Sequence, residues 1–137
     1  MREVEAERFV RETPAALRRL LSPATLVEYE GSFAARATRD ASDDSDAETV
    51  VTVAGGGLEF DLRFTETADG WRYEQADDRG PFESMETTVT VEQVDDGSRV
   101  RAVSRVSLGL PVPFADRVAG WKRRGELRRL LDAIADS

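Results

Sequence analysis

Residues 113–135 read PFADRVAGWKRRGELRRLLDAIA, and their periodicity sets the architecture. Phe114, Val118, Trp121, Leu127, Leu130, Leu131 and Ile134 recur at threes and fours, as one apolar face of a long helix does. Pro111 and Pro113 stop whatever precedes this helix. Upstream lie six segments with the marks of strands, so the helix has a sheet to pack on. A single curved antiparallel sheet closed by one terminal helix tends to leave a hollow between the two, and such hollows bind ligands.

The six segments span 32–39, 48–54, 58–67, 71–76, 82–94 and 98–110, and each is bounded by turn chemistry. The turns are Asp40 to Asp46, Gly55-Gly56-Gly57, Asp69-Gly70, Asp77 to Pro81 and Asp95-Asp96-Gly97. Connections this short make consecutive strands antiparallel neighbours. Leu58, Phe60, Leu62 and Phe64 alternate with Glu59, Asp61 and Arg63, and Val100, Ala102, Ser104, Val106 and Leu108 alternate in the same way. The sheet therefore has one inner face, joined by Trp71, Tyr73 and Gln75 and by Met85, Thr87, Val89 and Val91.

At the amino end, Val4, Ala6 and Val10 alternate with glutamates over a further strand, 3–11. Thr13-Pro14 then supplies a helix cap and a first-turn proline, Ser22-Pro23 repeats that signal, and Gly31 ends the helical run. Two helices so joined have the outline of a DNA-binding helix-turn-helix, but the second lacks a cluster of basic residues. The 137 residues fit one α+β domain, 1–137, of about seven strands.

Composition narrows the chemistry. The chain has no histidine and no cysteine, which removes histidine-assisted nucleophiles and nitrogen- or sulfur-ligated zinc. No catalytic or metal-binding residue is assigned and no cofactor is expected. Asp and Glu number 27 against 19 basic residues, for a net charge of −8, and Lys122 is the single lysine. This balance resembles that of proteins from extreme halophiles, where surface carboxylates hold water and keep a chain soluble. It argues against nucleic acid as a partner, since phosphate binding needs a basic footprint. The acidic amino terminus, the absence of cysteine and the lack of an apolar run of spanning length point to a cytoplasmic protein that does not cross a membrane.

The opening strand, the turn Thr13-Pro14-Ala15-Ala16-Leu17-Arg18-Arg19-Leu20-Leu21, the run of strands and the helix after Pro111-Val112-Pro113 together resemble the START-like superfamily of helix-grip proteins. This group is also called the polyketide cyclase/dehydrase and lipid transport (SRPBCC) superfamily. The resemblance covers nearly the whole chain and implies a sheet wrapped on the terminal helix. It also implies non-catalytic binding or transport of an apolar or amphipathic small molecule, lipid or polyketide-like, in the space between them.

The residues expected to line that space are Phe33, Phe60, Leu62, Phe64, Trp71, Tyr73, Gln75, Met85, Thr87, Ser104, Phe114, Val118 and Trp121. Polar members of the set must pair with one another, with water or with a ligand if buried. Two other readings stay open. A cyclase- or dehydratase-type enzyme would draw its acid or base from Tyr73, Tyr29 or a buried carboxylate such as Glu86. A protein-interaction module would use an exposed sheet edge or the basic stretches Lys122-Arg123-Arg124 and Arg128-Arg129, which are also suited to peripheral contact with anionic lipid; on any reading the chain is expected to be a monomer or a homodimer.

Four local features have plain expectations. Arg8 shares the face of Val4, Ala6 and Val10, and should meet a partner carboxylate or be turned out by a strand bulge, with a ligand carboxylate or phosphate as the other reading. Asp40 to Asp46 reads as a solvated hairpin loop rather than a calcium loop, since it lacks the glycine and terminal glutamate. Gly55 to Gly57 reads as a turn, because a strand and not a helix follows it. Gly120 and Gly125 each cost about 1 kcal/mol in a helix interior, and ask for close packing or a bend in return.

Overall fold

The computed structural model describes residues 1–42, 45–110 and 114–137, with side chains described at all of these except 41, 42 and 45–47. The elements run β1 (Arg2–Val10), α1 (Pro14–Leu20), α2 (Pro23–Glu30), β2 (Ala34–Ser42), β3 (Ser45–Gly55), β4 (Leu58–Thr67), β5 (Gly70–Gln75), β6 (Ser84–Val94), β7 (Gly97–Ser107) and α3 (Ala115–Asp136). The seven strands form one antiparallel sheet in the order β1-β7-β6-β5-β4-β3-β2, and α3 lies against β1 and β7 and touches α2. This is the helix-grip arrangement. β1 reaches its place beside β7 because the helical pair α1–α2 carries the chain across to the far edge.

Local chemistry explains the boundaries. Thr13 Oγ1 accepts from the Ala16 amide at 3.1 Å and Ser22 Oγ from the Thr25 amide at 3.2 Å, so each helix starts on a capping side chain followed by proline. Gly31 ends α2 in the left-handed region at φ +83°, which a side chain would disfavour. The hairpin loop expected over 40–46 is shorter, with β2 running to Ser42 and β3 starting at Ser45. Asp43 and Asp44 lie outside the described residues. The last strand ends at Ser107 rather than 110, and α3 begins at Ala115, past Phe114.

Strand alternation holds as read. Phe60, Leu62 and Phe64 of β4, Tyr73 of β5, Met85, Thr87, Val89 and Val91 of β6, and Val100, Ala102, Ser104 and Val106 of β7 are all buried on one face. Val51 and Val53 of β3 extend it, while Leu58, at the start of β4, is exposed. On the opposite face, arginines meet glutamates across neighbouring strands: Arg105–Glu3 at 3.1 Å, Arg101–Glu5 at 2.5 Å, Arg72–Glu86 at 3.0 Å and Arg63–Glu74 at 3.5 Å. Exposed pairs like these each contribute about 0–1 kcal/mol, yet together they neutralise the sheet's outer arginines. Arg8, on the face of Val4 and Val10, pairs with Asp132 of α3 at the surface rather than turning to the interior.

The two helix glycines have different roles. A Cβ at Gly120 would stand 2.5 Å from Arg2 Cγ and 3.4 Å from Val4 Cγ1, so Gly120 is where α3 presses on β1. At Gly125 the nearest atom to such a Cβ would be Arg129 Nη1 at 3.8 Å, so packing does not require glycine there. Gly125→Ala is therefore expected to raise stability by about 0.5–1 kcal/mol. A urea midpoint that stayed put or fell would show that the helix needs the freedom of glycine at that point.

Candidate functional site

The face of α3 that meets the sheet carries Ala115, Ala119, Gly120, Arg123, Glu126, Leu127, Leu130, Leu131 and Ile134. Arg123 is thus an interior residue, 2% exposed, and not part of an outer basic run with Lys122 and Arg124 as its neighbours in sequence suggested. Its guanidinium reaches between helix and sheet and binds five polar side chains there. Nε donates to Ser104 Oγ at 3.0 Å and Nη1 to Glu126 Oε1 at 3.1 Å. Nη2 donates to Thr87 Oγ1 at 2.8 Å and stands 2.7 Å from Glu30 Oε1 and 3.2 Å from the Tyr73 hydroxyl.

Around the arginine the loop of bonds closes. Tyr73 donates to Glu30 Oε1 at 2.5 Å, and the Thr87 and Ser104 hydroxyls share a hydrogen bond of 2.8 Å. Among the described residues no buried side-chain nitrogen or oxygen lacks a partner. Burial, and then the Glu30 carboxylate, hold the Tyr73 phenol well above its ordinary pKa, so it stays a neutral donor. Burial opposes charge on Arg123, but the Glu30 and Glu126 carboxylates outweigh it and keep the guanidinium protonated. One cation against two carboxylates, tied to α2, α3 and three strands, fills the middle of the grip.

Apolar side chains fill the space beside it. Phe64 stacks on Tyr73 with ring centroids 4.5 Å apart and meets Trp71 edge-on at 6.3 Å, and Phe33 meets Phe60 edge-on at 5.0 Å. Trp71 and Gln75 sit half-buried at the margin. The Trp71 indole donates to the Leu21 carbonyl at 2.9 Å. The Gln75 amide clamps the following loop by donating to the Asp77 and Phe82 carbonyls at 2.9 and 2.7 Å. Of the thirteen residues expected to line a cavity, Phe60, Leu62, Phe64, Tyr73, Met85, Thr87 and Ser104 do come together inside, with Phe33 packed against them. The apolar members belong to one core cluster, and Tyr73, Thr87 and Ser104 also bind Arg123.

Phe114, Val118 and Trp121 do not join them. They are 61%, 59% and 77% exposed, because α3 is turned so that Ala115, Ala119 and Gly120 face β1. The small residues allow the close approach; Phe114 and Trp121 would not. The acid/base candidates of an enzymatic reading also stay apart. Glu86 lies on the outer sheet face paired with Arg72, and Tyr29 packs at the edge of the core. Glu30 and Glu126 are the buried carboxylates among the described residues, and neither carries a motif that marks it in the sequence. The available signal was phase: Glu30 follows Leu26 and Val27 by four and three residues, and Arg123 and Glu126 share the helical face of Leu127 and Leu130.

The turn of α3 opens a groove of about 420 Å³ between its amino half and β1. Val4, Phe114, Val118 and Trp121 supply apolar surface, and the guanidinium groups of Arg2, Arg117 and Arg124 supply charge. Arg117 lies over the Phe114 ring at 5.7 Å. None of these three arginines has a carboxylate partner among the described residues. A larger open depression of about 650 Å³ between α1 and β6 is lined mainly by polar groups, among them Thr13, Arg18, Asp69 and Glu92.

No protein-family model matches the chain, and no curated protein matches it. Solved structures do. A protein from Thermus thermophilus is similar over 98% of this chain and 95% of its own, at 17% identity and a TM-score of 0.76. The Zhui aromatase/cyclase from a Streptomyces species is similar over 97% and 93%, at 14% identity and a TM-score of 0.69. A START superfamily protein from Mycobacterium smegmatis is similar over 98% and 97%, at 11% identity and a TM-score of 0.63. The chain has the START-like helix-grip fold, and the likeness covers 97–98% of it in these three structures.

Proposed function

We propose that this chain is a non-catalytic binding protein for an amphipathic small molecule, lipid- or polyketide-like, that carries an anionic group. The groove between α3 and β1 is its site. The observation that carries the reading is the pairing of exposed Phe114, Val118 and Trp121 with three arginines that have no carboxylate partner among the described residues, on a chain of net charge −8. An apolar body would cover the aromatic wall, and a carboxylate or phosphate would take the guanidinium groups in charge-assisted hydrogen bonds.

The interior contributes in a different way from that expected of an empty grip. Arg123 and its partners occupy the space, so the ligand lies at the mouth while the polar core holds α3 in place. The similar structures, which include an aromatase/cyclase, support the fold as a scaffold for such a site. The absence of cysteine accords with a cytoplasmic setting and the acidic balance with a partner that is not nucleic acid.

Titration with decanoate below its micelle concentration tests this, with decylamine as the chain-matched cation. Decanoate is expected to bind and shift the Trp121 emission, and decylamine to bind at least tenfold more weakly. Arg117→Gln with Arg124→Gln should weaken decanoate binding by about tenfold or more, the worth of a lost charge-assisted hydrogen bond. Equal binding of acid and amine, or none of either, would remove the groove from consideration.

A further inference from the structure

We propose that the outer face of α3 docks on an anionic lipid bilayer; that this bilayer supplies the ligand rests on the reading above, whereas the docking itself does not. Residues 114, 118, 121, 124 and 128 follow one another at threes and fours, and Arg117 stands three residues after Phe114 and four before Trp121, so they form one stripe along the helix. It holds two aromatic rings and a valine among three arginines, with Lys122 at its side. Several of the large exposed apolar side chains lie at this end of the molecule. Phe114, Val118 and Trp121 are joined there by Met1, whose ammonium pairs with Asp116 at 2.5 Å.

Charge sets this face apart from the rest of the surface. On the sheet, arginines are met by glutamates across the strands. On α3, three of the four carboxylates are engaged elsewhere: Asp116 by the amino terminus and the Leu108 amide, Glu126 by buried Arg123, and Asp132 by Arg8, while Asp136 stands at the last position of the helix, eight residues beyond Arg128. Arg117, Lys122, Arg124 and Arg128 have no carboxylate partner among the described residues. The chain is acidic as a whole yet leaves one helical face cationic and aromatic. That combination matches an anionic interface, where rings settle at the headgroup level and guanidinium groups meet phosphates. No helix among the described residues is long and apolar enough to cross a membrane, so the contact is one of lying on the surface.

Vesicle co-sedimentation of the full chain tests the proposal, using phosphatidylglycerol/phosphatidylcholine at equal proportions against phosphatidylcholine alone, in 0.1 M and 1 M NaCl. Binding is expected to the anionic vesicles, to weaken at high salt, and to be nearly absent on phosphatidylcholine. The triple variant Arg117→Gln/Arg124→Gln/Arg128→Gln should lower partitioning about a hundredfold at low salt, the worth of three basic residues at such a surface. Trp121→Ser should remove the emission shift seen with vesicles. These are exposed positions, and circular dichroism checks that each variant is folded.

Undiminished binding by the triple variant, equal binding to both lipids, or no binding to the anionic vesicles would overturn docking. So would a lipid-free dimer that Trp121→Ser dissolves, since a second copy would then cover the face. Decanoate binding without vesicle binding would leave the ligand site standing and remove the bilayer. Vesicle binding without decanoate binding would do the reverse.

Discussion

Arg123→Met is expected to destabilise the folded chain by about 3–5 kcal/mol, because it strands two carboxylates in the interior without their cation. Glu30 and Glu126 both rest on this guanidinium, at 2.7 and 3.1 Å, and the side chains of all three are less than a tenth exposed. Thr87 and Ser104 would lose a donor as well. The informative comparison is the triple change Glu30→Gln/Arg123→Met/Glu126→Leu. Removing the whole charge set lifts the desolvation cost along with the attraction, and such replacements are often neutral or stabilising by about 1–4 kcal/mol. Urea unfolding of the two variants should therefore place the triple variant well above the single one. If Arg123→Met alone cost less than about 1 kcal/mol, the cluster would not be holding α3 to the sheet.

Phe64→Ala should cost about 3–5 kcal/mol, the range for emptying a large aromatic site in a packed core. Phe64 is fully buried, stacked on Tyr73 and edge-on to Trp71, so its neighbours cannot collapse without disturbing Tyr73's bond to Glu30. The same experiment reports on the interior. A grip that held open volume would absorb the loss of the ring by rearrangement, and the unfolding midpoint would move little. A filled grip gives the full effect, with a slope in urea that is unchanged.

The strands were legible because a half-buried strand alternates with period two, and shifting it by one residue turns every side chain over. Phe60, Leu62 and Phe64 between Glu59, Asp61 and Arg63 leave no second choice, and burial follows the alternation. The caps at Thr13 and Ser22 and the turn at Gly31 are equally local. α3 was legible as a helix but not in its rotation. Phe114, Val118 and Trp121 offer one apolar face, and Ala115, Ala119, Leu127, Leu130 and Ile134 offer another turned away from it. Hydrophobicity favours the first at the amino half, and close packing on β1 selects the second.

That rotation moved the candidate site. With the α3 rings turned outward, Phe114, Val118 and Trp121, expected to line the interior, form a groove and a stripe on the surface, and Arg123, expected in solvent, stands at the centre of the core. Tyr73, Thr87 and Ser104 were recognised as inner polar groups in need of partners, but their partner stands on another element, far along the chain.

The order of elements, the inner face of each strand and the chemistry ruled out by the missing histidine and cysteine belong to the sequence alone, since each depends on near neighbours or on composition. Which face of α3 meets the sheet, and so which residues are core and which are available to a ligand, was decided by tertiary structure. Glu30, Tyr73, Thr87 and Ser104 converge on Arg123 only after α2, β5, β6 and β7 are assembled, and a buried guanidinium is stable only where all of them are present.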